Sequence, residues 1–297
     1  MSLKKPKITI GLPVYNAALF LHDCIHSILN QSFVNFELLI VNDGSKDESI
    51  DIIESFTDKR ITLINDGLNK GLPKRLNEIT QLAKGDFIVR MDADDIMHID
   101  RLKTQLNILL ENSFIDVLGS NAYSINEHNE IIGARMPLKT ENNDLLKVLG
   151  FIHPTIIGKS IWFKNNLYDE KAIRCEDAEL WNRVNTKSNF YCTSIPLLFY
   201  REFGGDYYKK YIGTLKGMFY VSKKRLREKK FKSFTLWVIK NNFLFLLKCL
   251  FYLFFHFIGK ESVLMKMRNT ILSSEKLGKG KQDLIESILS NNIKKNK

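Results

Sequence analysis

The sequence predicts an α/β fold, with a mainly parallel, Rossmann-like sheet flanked by helices. Short apolar runs of strand length alternate with segments whose apolar residues recur at helical spacing. The connections between them are short, which is typical of right-handed βαβ units. Polar clusters follow the predicted strands, and ligands of open parallel sheets bind beyond the carboxyl ends of the strands. The fold class and the place of its site are therefore predicted together.

The first part of the chain supplies the elements of this prediction. Strands are predicted at residues 7–12, 37–41, 60–64 and 86–91, and helices at 17–31, 47–56, 72–83 and 101–112. Ser45, with Glu48 three residues later, has the pattern of a helix N-cap before the second helix. Residues 115–198 mix short strands and helices in an order that the pattern alone does not define.

Charge divides the chain near residue 205. Residues 1–205 carry 23 Lys and Arg against 27 Asp and Glu, whereas residues 206–297 carry 21 against 6. A basic region of this kind can face nucleic acid, anionic lipid or acidic substrates. We therefore predict two parts, an α/β domain at 1–205 and a basic, apolar helical region at 206–297.

The C-terminal region predicts contact with a membrane surface. Seven basic residues lie at 223–232, and residues 243–258 are almost wholly apolar apart from Lys248 and His256. This run is short for a bilayer span, so we expect a helix in the membrane interface; a spanning helix and a buried helix are the alternatives. We expect residues 223–258 to bind an anionic membrane. Because the aromatic residues are not interleaved with basic ones, we expect no nucleic-acid partner.

The cysteines and the N-terminus predict a cytoplasmic protein. The four cysteines lie far apart and form no CxxC pair, so neither a zinc site nor a disulfide framework is expected. Reduced, buried thiols are the better interpretation. The N-terminus reaches a turn too early to contain the apolar core of a signal peptide.

A cluster of carboxylates follows the fourth predicted strand. Asp92, Asp94 and Asp95 fall within four residues of one another. Carboxylates this close repel one another unless a cation lies between them. Mg²⁺ or Mn²⁺ is the natural partner, since these ions prefer oxygen ligands and keep positions open for phosphate and water. The alternative is a solvated loop that caps the next helix.

A second polar cluster, Asn42-Asp43-Gly44-Ser45, follows the second predicted strand and should meet the same edge of the sheet. An Asp at such a strand end can accept hydrogen bonds from a base or a ribose. An Asx turn with a helix cap is the alternative. Neither GxGxxG nor GxxxxGK[ST] occurs in the sequence, so the dinucleotide fingerprint and the P-loop are both absent.

Four segments in order carry a family resemblance. They are PVYN at 13–16, NDGSKD at 42–47, NKGLPKRLNEITQLAKGDFIVRMDADD at 69–95 and CEDAELW at 175–181. Together they resemble a family 2 glycosyltransferase of the GT-A fold, and the match runs from about residue 7 to 201. The resemblance implies a nucleotide-sugar half at about 1–100 and an acceptor half at about 101–205.

The resemblance also implies roles for individual residues. The nucleotide-sugar site would comprise Pro13, Tyr15, Asn16, Asp43, Asn69, Gly71, Arg75, Asp92 and Ala93. Within it, Asp43 would bind the uracil or the ribose and Arg75 would lie near the base. Asp92 and Asp94 would form the DxD motif, in which Asp94 holds the metal that bridges the donor's diphosphate.

On the other side of the sugar, Asp177 would be the general base that deprotonates the acceptor hydroxyl. Without the resemblance, the alternative for Asp177 is an ion pair with Arg174 or Arg183 on the same helix. The acceptor or diphosphate side would also include His153, Glu176, Trp181 and Arg201.

The implied activity is an inverting, metal-dependent transfer of a hexose, glucose or galactose, from a UDP-sugar. One base and no covalent nucleophile imply inversion. The QxxRW motif of processive members is absent from the sequence, which implies a single addition per encounter. With the basic, apolar region, we expect a polyprenyl diphosphate-linked saccharide acceptor in O-antigen, capsule or related polysaccharide assembly, and a peripheral position on the inner face of the cytoplasmic membrane. A protein or other glycan acceptor, or a nucleotidyltransferase activity, are the alternatives.

Overall fold

The computed structural model describes residues 5–135, 145–202, 207–227 and 233–289. In these residues the strands are β1 (Ile8–Val14), β2 (Phe36–Asn42), β3 (Ile61–Asn65), β4 (Phe87–Arg90), β5 (Ile96–Met97), β6 (Val117–Ile125), β7 (Ile131–Arg135), β8 (Leu145–Lys147), β9 (Ile157–Lys159) and β10 (Phe190–Arg201). The helices are α1 (Ala18–Leu29), α2 (Ser49–Glu54), α3 (Leu72–Leu82), α4 (Arg101–Glu111), α5 (Ser160–Asn165), α6 (Glu176–Val184), α7 (Tyr207–Arg227), α8 (Ser233–Phe257), α9 (Glu261–Arg268) and α10 (Ser274–Ile288).

The described strands form one mixed sheet in the order β3-β2-β1-β4-β9-β6-β10-β5, with β7 beside β6 and β8 beside β10. Strands β1 to β4 pair in parallel, as the sequence predicts. In the second half β6 and β10 are parallel, whereas β9 runs antiparallel to both β4 and β6. The α/β fold with flanking helices is confirmed. The antiparallel strands β7, β8 and β9 lie in the region that the pattern left undefined, whereas β5, which pairs antiparallel with β10, was not predicted.

Strand β1 is buried along most of its length and carries apolar residues at alternate positions, with the polar Thr9 buried among them. Its residues Ile8, Ile10, Leu12 and Val14 are all fully buried. Helix α1 covers one face of the sheet with side chains at helical spacing, among them Leu21, Cys24, Ile25 and Ile28. This packing fixes the carboxyl ends of the strands, where the polar clusters lie.

The N-cap predicted at Ser45 is wrong. Helix α2 begins at Ser49, and its N-cap residue, Glu48, makes no side-chain capping hydrogen bond. The Ser45 hydroxyl instead accepts a 3.0 Å hydrogen bond from the backbone N–H of Asn16. The Ser45 hydroxyl therefore bonds to a residue distant in sequence, and not to the start of α2 as the local pattern predicted.

The end of the described chain returns to the α/β domain. Leu284 of α10 packs with Ile96, Tyr123 and Phe199 in one apolar cluster. The side-chain amide of Asn30 donates to the carbonyl groups of Ser287 (3.2 Å) and Leu289 (2.9 Å). The predicted boundary at 205 and residues 228–232 of the basic run lie outside the described residues, so two separate parts stay a prediction.

Helix α8 contains most of the apolar run. A stripe of exposed apolar side chains follows its length at helical spacing, formed by Phe243, Leu247, Leu250, Phe254 and Phe257. Cys249 and Tyr252 are buried. Within the described ranges, no helix combines the length and the apolar character that crossing a bilayer requires.

Candidate active site

The acidic segment lies between β4 and β5, where the structure brings its three carboxylates together. Ligand atoms of Asp92, Asp94 and Asp95 all lie within 4.8 Å of one another. Burial, with the charge of Asp92, raises the pKa of Asp94 to about 6. Burial and both neighbouring carboxylates also raise the pKa of Asp95 well above its usual range. Such crowding is the signature of a site that favours positive charge.

The donor set fits a hard divalent cation. All three groups supply oxygen, and Oδ2 of Asp95 is buried without a hydrogen-bond partner among the described residues. Asp92 and Asp94 are half-buried, so phosphate oxygens could reach open coordination positions beside them. Asp95 belongs to the predicted carboxylate cluster, but the resemblance assigned it no role.

Arg90, to which the sequence prediction assigned no role, offsets part of this negative charge by pairing with Asp92. Its guanidinium pairs with Asp92 at 2.6 Å and 2.9 Å, and the side chain is almost fully buried. Its Nε has no hydrogen-bond partner in the described part of the chain. A basic residue at the end of the otherwise apolar strand Phe87-Ile88-Val89-Arg90 was the available signal.

Arg201, at the end of β10, donates hydrogen bonds to the same acidic segment. Its backbone N–H donates to Oδ1 of Asp95 at 2.8 Å, and its Nε donates to the carbonyl oxygen of Asp94 at 2.7 Å. The guanidinium also lies over the Phe20 ring, 4.2 Å from its centroid. Arg201 was predicted on the acceptor or diphosphate side, and the structure gives it direct contact with the acidic segment.

Asp43, at the end of β2, organises the predicted nucleotide loop. It accepts hydrogen bonds from the N–H groups of Lys70 (2.6 Å) and Gly71 (3.1 Å). The Asp43 carboxylate also accepts a hydrogen bond from Nε of Arg75, at 2.9 Å. Gly44 lets this loop approach, because a Cβ there would lie 2.9 Å from the backbone N of Asn69, and its φ is +72°.

Arg75 lies under this loop rather than on an open surface. Its side chain has no exposed area and also pairs with Asp66 and Glu78, at 2.7 Å in each case. The hydrogen bonds that Arg75 donates to Asp66 are the main reason that the pKa of Arg75 is raised. The residue predicted near the base therefore supports Asp43 and the loop from beneath.

The PVYN turn lies beside this loop. The ring of Tyr15 is 54% exposed, and Asn16 has a left-handed backbone with φ of +48°. The side-chain carbonyl of Asn16 accepts from the N–H of Lys46 at 2.8 Å, so the turns after β1 and β2 are tied together. Pro13 is half-buried within β1, and Asn69 is exposed on the loop after β3.

Asp177 lies in the first turn of α6. It is half-buried, and burial raises its pKa although the nearby charge of Arg90 lowers it. Burial and the charge of Asp177 raise the pKa of Glu176 to about 7. The charges of Arg90 and Asp92 act on the pKa values of both groups, so the start of α6 lies within electrostatic range of the acidic segment. Arg183 pairs with Glu179 at 3.0 Å, which accounts for one of the two predicted alternative partners of Asp177.

His153 and Trp181 are both buried, and Trp181 is part of α6. The Nε2 atom of His153 is 2.9 Å from the hydroxyl of Tyr168, and burial lowers the pKa of His153 well below its usual value. The Trp181 ring is 3% exposed and packs edge-to-face on Phe151 and Phe190. The structure thus places Trp181 in the aromatic core that supports α6.

Comparison with known proteins decides the family. Residues 9–172, more than half of the chain, match the model of glycosyl transferase family 2. This chain belongs to that family. The matched region contains the DxD segment and the Asp43 loop and ends shortly before α6. The chain is therefore a transferase enzyme, as the resemblance implied.

Relatives with assigned names support the same family. The chain is 31% identical over 183 residues to the UDP-Glc:alpha-D-GlcNAc-diphosphoundecaprenol beta-1,3-glucosyltransferase WfgD of Escherichia coli, covering 61% of this chain and 71% of WfgD. An uncharacterized glycosyltransferase of Haemophilus influenzae is 40% identical over 43% of this chain. The putative glycosyltransferase EpsE of Bacillus subtilis is 32% identical over 60% of this chain. The matches span 52% of the Haemophilus protein and 66% of EpsE.

A solved structure confirms the fold. S. aureus TarS 1–349, crystallised in complex with UDP-GlcNAc, superposes with a TM-score of 0.60 and 19% identity. The superposition covers 73% of this chain and 65% of that structure. At this level of identity the likeness shows the GT-A fold of this glycosyltransferase and leaves its donor to be argued from its own residues.

Proposed function

We propose that this glycosyltransferase is an inverting, metal-dependent, non-processive enzyme that moves a hexose from a UDP-sugar to a lipid-linked saccharide. The transferred hexose is proposed to be glucose or galactose. The product would enter O-antigen, capsule or related polysaccharide assembly. The observation that carries the proposal is the juxtaposition of two acidic groups. Asp92, Asp94 and Asp95 form one group, and Glu176 with Asp177 at the start of α6 forms the other.

The donor nucleotide would bind between the turns after β1, β2 and β3. Each carboxylate oxygen can accept more than one hydrogen bond, so Asp43 could serve both its loop and a base or ribose donor. The exposed ring of Tyr15 supplies a face on which a base can stack. The order imposed on the loop by Arg75 supports this assignment, because a site ordered before binding loses less entropy.

The diphosphate would lie at the DxD segment. When Mn²⁺ or Mg²⁺ is bound by Asp92 and Asp94, the ion offsets the charge that develops on the leaving diphosphate. The chain's own part is to hold these carboxylates in place. Arg90 pairs with Asp92 from beneath, and Arg201 holds the carbonyl oxygen of Asp94 and the side chain of Asp95.

Asp177 would take the proton from the acceptor hydroxyl as that oxygen attacks the sugar. A base on the face opposite the leaving group gives inversion, so a UDP-α-sugar would yield a β-linkage. Burial raises the pKa of Asp177, which makes its carboxylate a better proton acceptor than a solvated Asp. Glu176 precedes it in the first turn of α6 and is proposed to lie on the acceptor or diphosphate side.

The C-terminal helices support a lipid-linked acceptor at a membrane. The exposed apolar stripe of α8 suits the interfacial region of a bilayer. Basic residues near an anionic surface contribute about 1 kcal/mol each, and the 223–258 segment supplies several. WfgD, by its name, acts on GlcNAc-diphosphoundecaprenol, which fits such a position. We therefore propose a peripheral location on the inner face of the cytoplasmic membrane.

The test is a release assay with purified protein, Mn²⁺, a panel of nucleotide sugars and a synthetic GlcNAc-diphosphate lipid. Free UDP and the product mass are measured. We expect acceptor-dependent release from one UDP-sugar, lost with EDTA and in Asp177→Asn. Transfer only to protein or free glycan acceptors would contradict the lipid-linked acceptor, and release of diphosphate in place of UDP would indicate a nucleotidyltransferase.

A further inference from the structure

Helix α7 packs closely against the segment that leads into α6. A Cβ at Gly217 would lie 2.3 Å from the carbonyl oxygen of Ile173 and 3.0 Å from Sγ of Cys175. One turn earlier, a Cβ at Gly213 would lie 2.9 Å from Cδ of Arg174. Two glycines on one face of α7 therefore allow its backbone to touch the three residues that precede Glu176.

The chain bends sharply within that contact. Arg174 has a left-handed backbone, with φ of +60°, three residues before Asp177. A residue with a Cβ seldom adopts this conformation unless its surroundings hold it there. The direction in which α6 leaves the bend, and with it the position of Asp177, therefore depends on what fixes the segment on either side.

Lys224 of α7 joins the two sides of the bend. Its Nζ donates to Oδ2 of Asp169 at 2.6 Å and to Oε1 of Glu179 at 3.0 Å. Asp169 precedes the bend, and Glu179 lies in α6, two residues after Asp177. The hydroxyl of Tyr220 donates to the same oxygen of Asp169 at 2.9 Å.

These contacts are shielded from solvent, which makes them more than a surface ion pair. The side chain of Glu179 is 3% exposed and that of Asp169 is 14% exposed. Burial alone would raise the pKa of Asp169, yet the hydrogen bonds from Lys224 and Tyr220 hold it below its usual value. Both carboxylates thus accept hydrogen bonds from one ammonium group.

We propose that Lys224 is a positioning residue for the base, which fixes the start of α6 by joining Asp169 to Glu179 across the Arg174 bend. The proposal rests on the role of Asp177 in the proposed function. Misplacement of a catalytic group by about 1 Å can lower a rate by roughly 100-fold. Donor binding, by contrast, uses the Asp43 loop and the DxD segment, which Lys224 does not contact.

The experiment compares Lys224→Met with Lys224→Arg and with Lys216→Met, a matched control because Lys216 is exposed on the same helix and lies outside the 223–258 segment. Turnover is measured with the UDP-sugar and GlcNAc-diphosphate lipid of the release assay, and UDP affinity by calorimetry with Mn²⁺. We expect Lys224→Met to lower kcat by 10-fold or more, with UDP affinity and donor KM within about twofold of the parent chain. Lys224→Arg should recover part of kcat, and Lys216→Met should match the parent.

A second variant, Gly217→Ala, tests the close contact without removing a charge and should also lower kcat more than it weakens UDP binding. If Lys224→Met fails to fold, Lys224→Gln replaces it, since the amide can still donate to one carboxylate. A parent-like kcat in Lys224→Met beside an inactive Asp177→Asn would overturn the positioning role alone. An equal loss of kcat and UDP affinity would also overturn it, by indicating a general loss of structure. Full activity of Asp177→Asn would overturn the base assignment and this proposal together.

Discussion

Arg75 donates a 2.9 Å hydrogen bond from its Nε to Oδ1 of Asp43, and both side chains are buried. The same carboxylate holds the backbone N–H groups of Lys70 and Gly71. The wall of the proposed nucleotide pocket therefore depends on an ion pair that lies beneath it. Removing one member of such a pair leaves the other as an uncompensated buried charge.

We expect Arg75→Met to destabilise the protein by about 3 kcal/mol, the lower end of the cost of breaking a buried pair. UDP affinity should fall at least tenfold because the loop around Asp43 loses its order. Urea unfolding and calorimetry with UDP and Mn²⁺ measure the two effects. Lys74→Met, at the exposed neighbouring position, is the control. Undiminished UDP affinity in a folded Arg75→Met protein would contradict this role.

The acidic segment should bind a divalent ion unequally through its three carboxylates. We expect Asp94→Asn to abolish measurable Mn²⁺ binding, since it removes a charged ligand of the proposed metal. Asp95→Asn should weaken Mn²⁺ by about 10-fold to 100-fold, the usual effect of a supporting residue. Titration followed by the Mn²⁺ EPR signal distinguishes these cases. Asp51→Asn, exposed on α2, should bind as the parent does; equal Mn²⁺ affinity in all three variants would rule out this site.

The raised pKa of Glu176 predicts how stability changes with pH. Its pKa is about 7 in the folded chain, whereas its ordinary value, which we take for the unfolded chain, is 4.5. Between these two pH values the folded state therefore retains a proton that the unfolded state has lost. Stability of the metal-free protein should therefore fall as pH rises from about 5 to 7, by up to roughly 3 kcal/mol.

Glu176→Gln should make this slope shallower because its side chain does not titrate, whereas Asp94, Asp95 and Asp177, whose pKa values are also raised, still do. Urea unfolding in EDTA at pH 5 and pH 7.5 measures it, and Glu54→Gln, exposed on α2, is the control that should keep the slope. An unchanged slope in Glu176→Gln would assign the pH dependence to another group.

The stripe on α8 should bind lipid. Replacing Leu250 and Phe254, which are 55% and 57% exposed, by Ser should lower binding to anionic vesicles at least tenfold. Each buried side chain of this size contributes about 1.5–3 kcal/mol, so two losses exceed that factor. A double replacement of Leu19 and Val34, exposed on the α/β domain, is the matched control. Equal vesicle sedimentation of both double variants would show that α8 is not the contact.

Local patterns predicted the parallel half of the sheet and the acidic segment well. The spacing of apolar residues identified β1 to β4, and the run Asp92-Ala93-Asp94-Asp95 stood out beside an apolar strand. Both features are encoded within a few neighbouring residues. The cap assigned to Ser45 was wrong because its real partner, the N–H of Asn16, lies 29 residues away.

Sequence patterns could not show the contacts that support the site from a distance. Arg90 looked like an isolated charge until its pairing with Asp92 placed it under the acidic segment. Lys224 lies in a basic run where nothing distinguishes it from its neighbours, yet its partner Asp169 is 55 residues earlier. Such roles arise from tertiary packing, for which a single sequence carries no periodic signal.

The return of α10 to the α/β domain has a consequence for how the enzyme is made. Strand β5 follows Asp95 directly, and its Ile96 is covered by Leu284 of α10. A ribosome adds about 5–20 residues per second, so several seconds or more pass between the synthesis of β5 and the synthesis of α10, which covers it. A nascent chain that stops after β10 would contain every assigned site residue, yet leave this apolar cluster open to chaperones, proteases and aggregation.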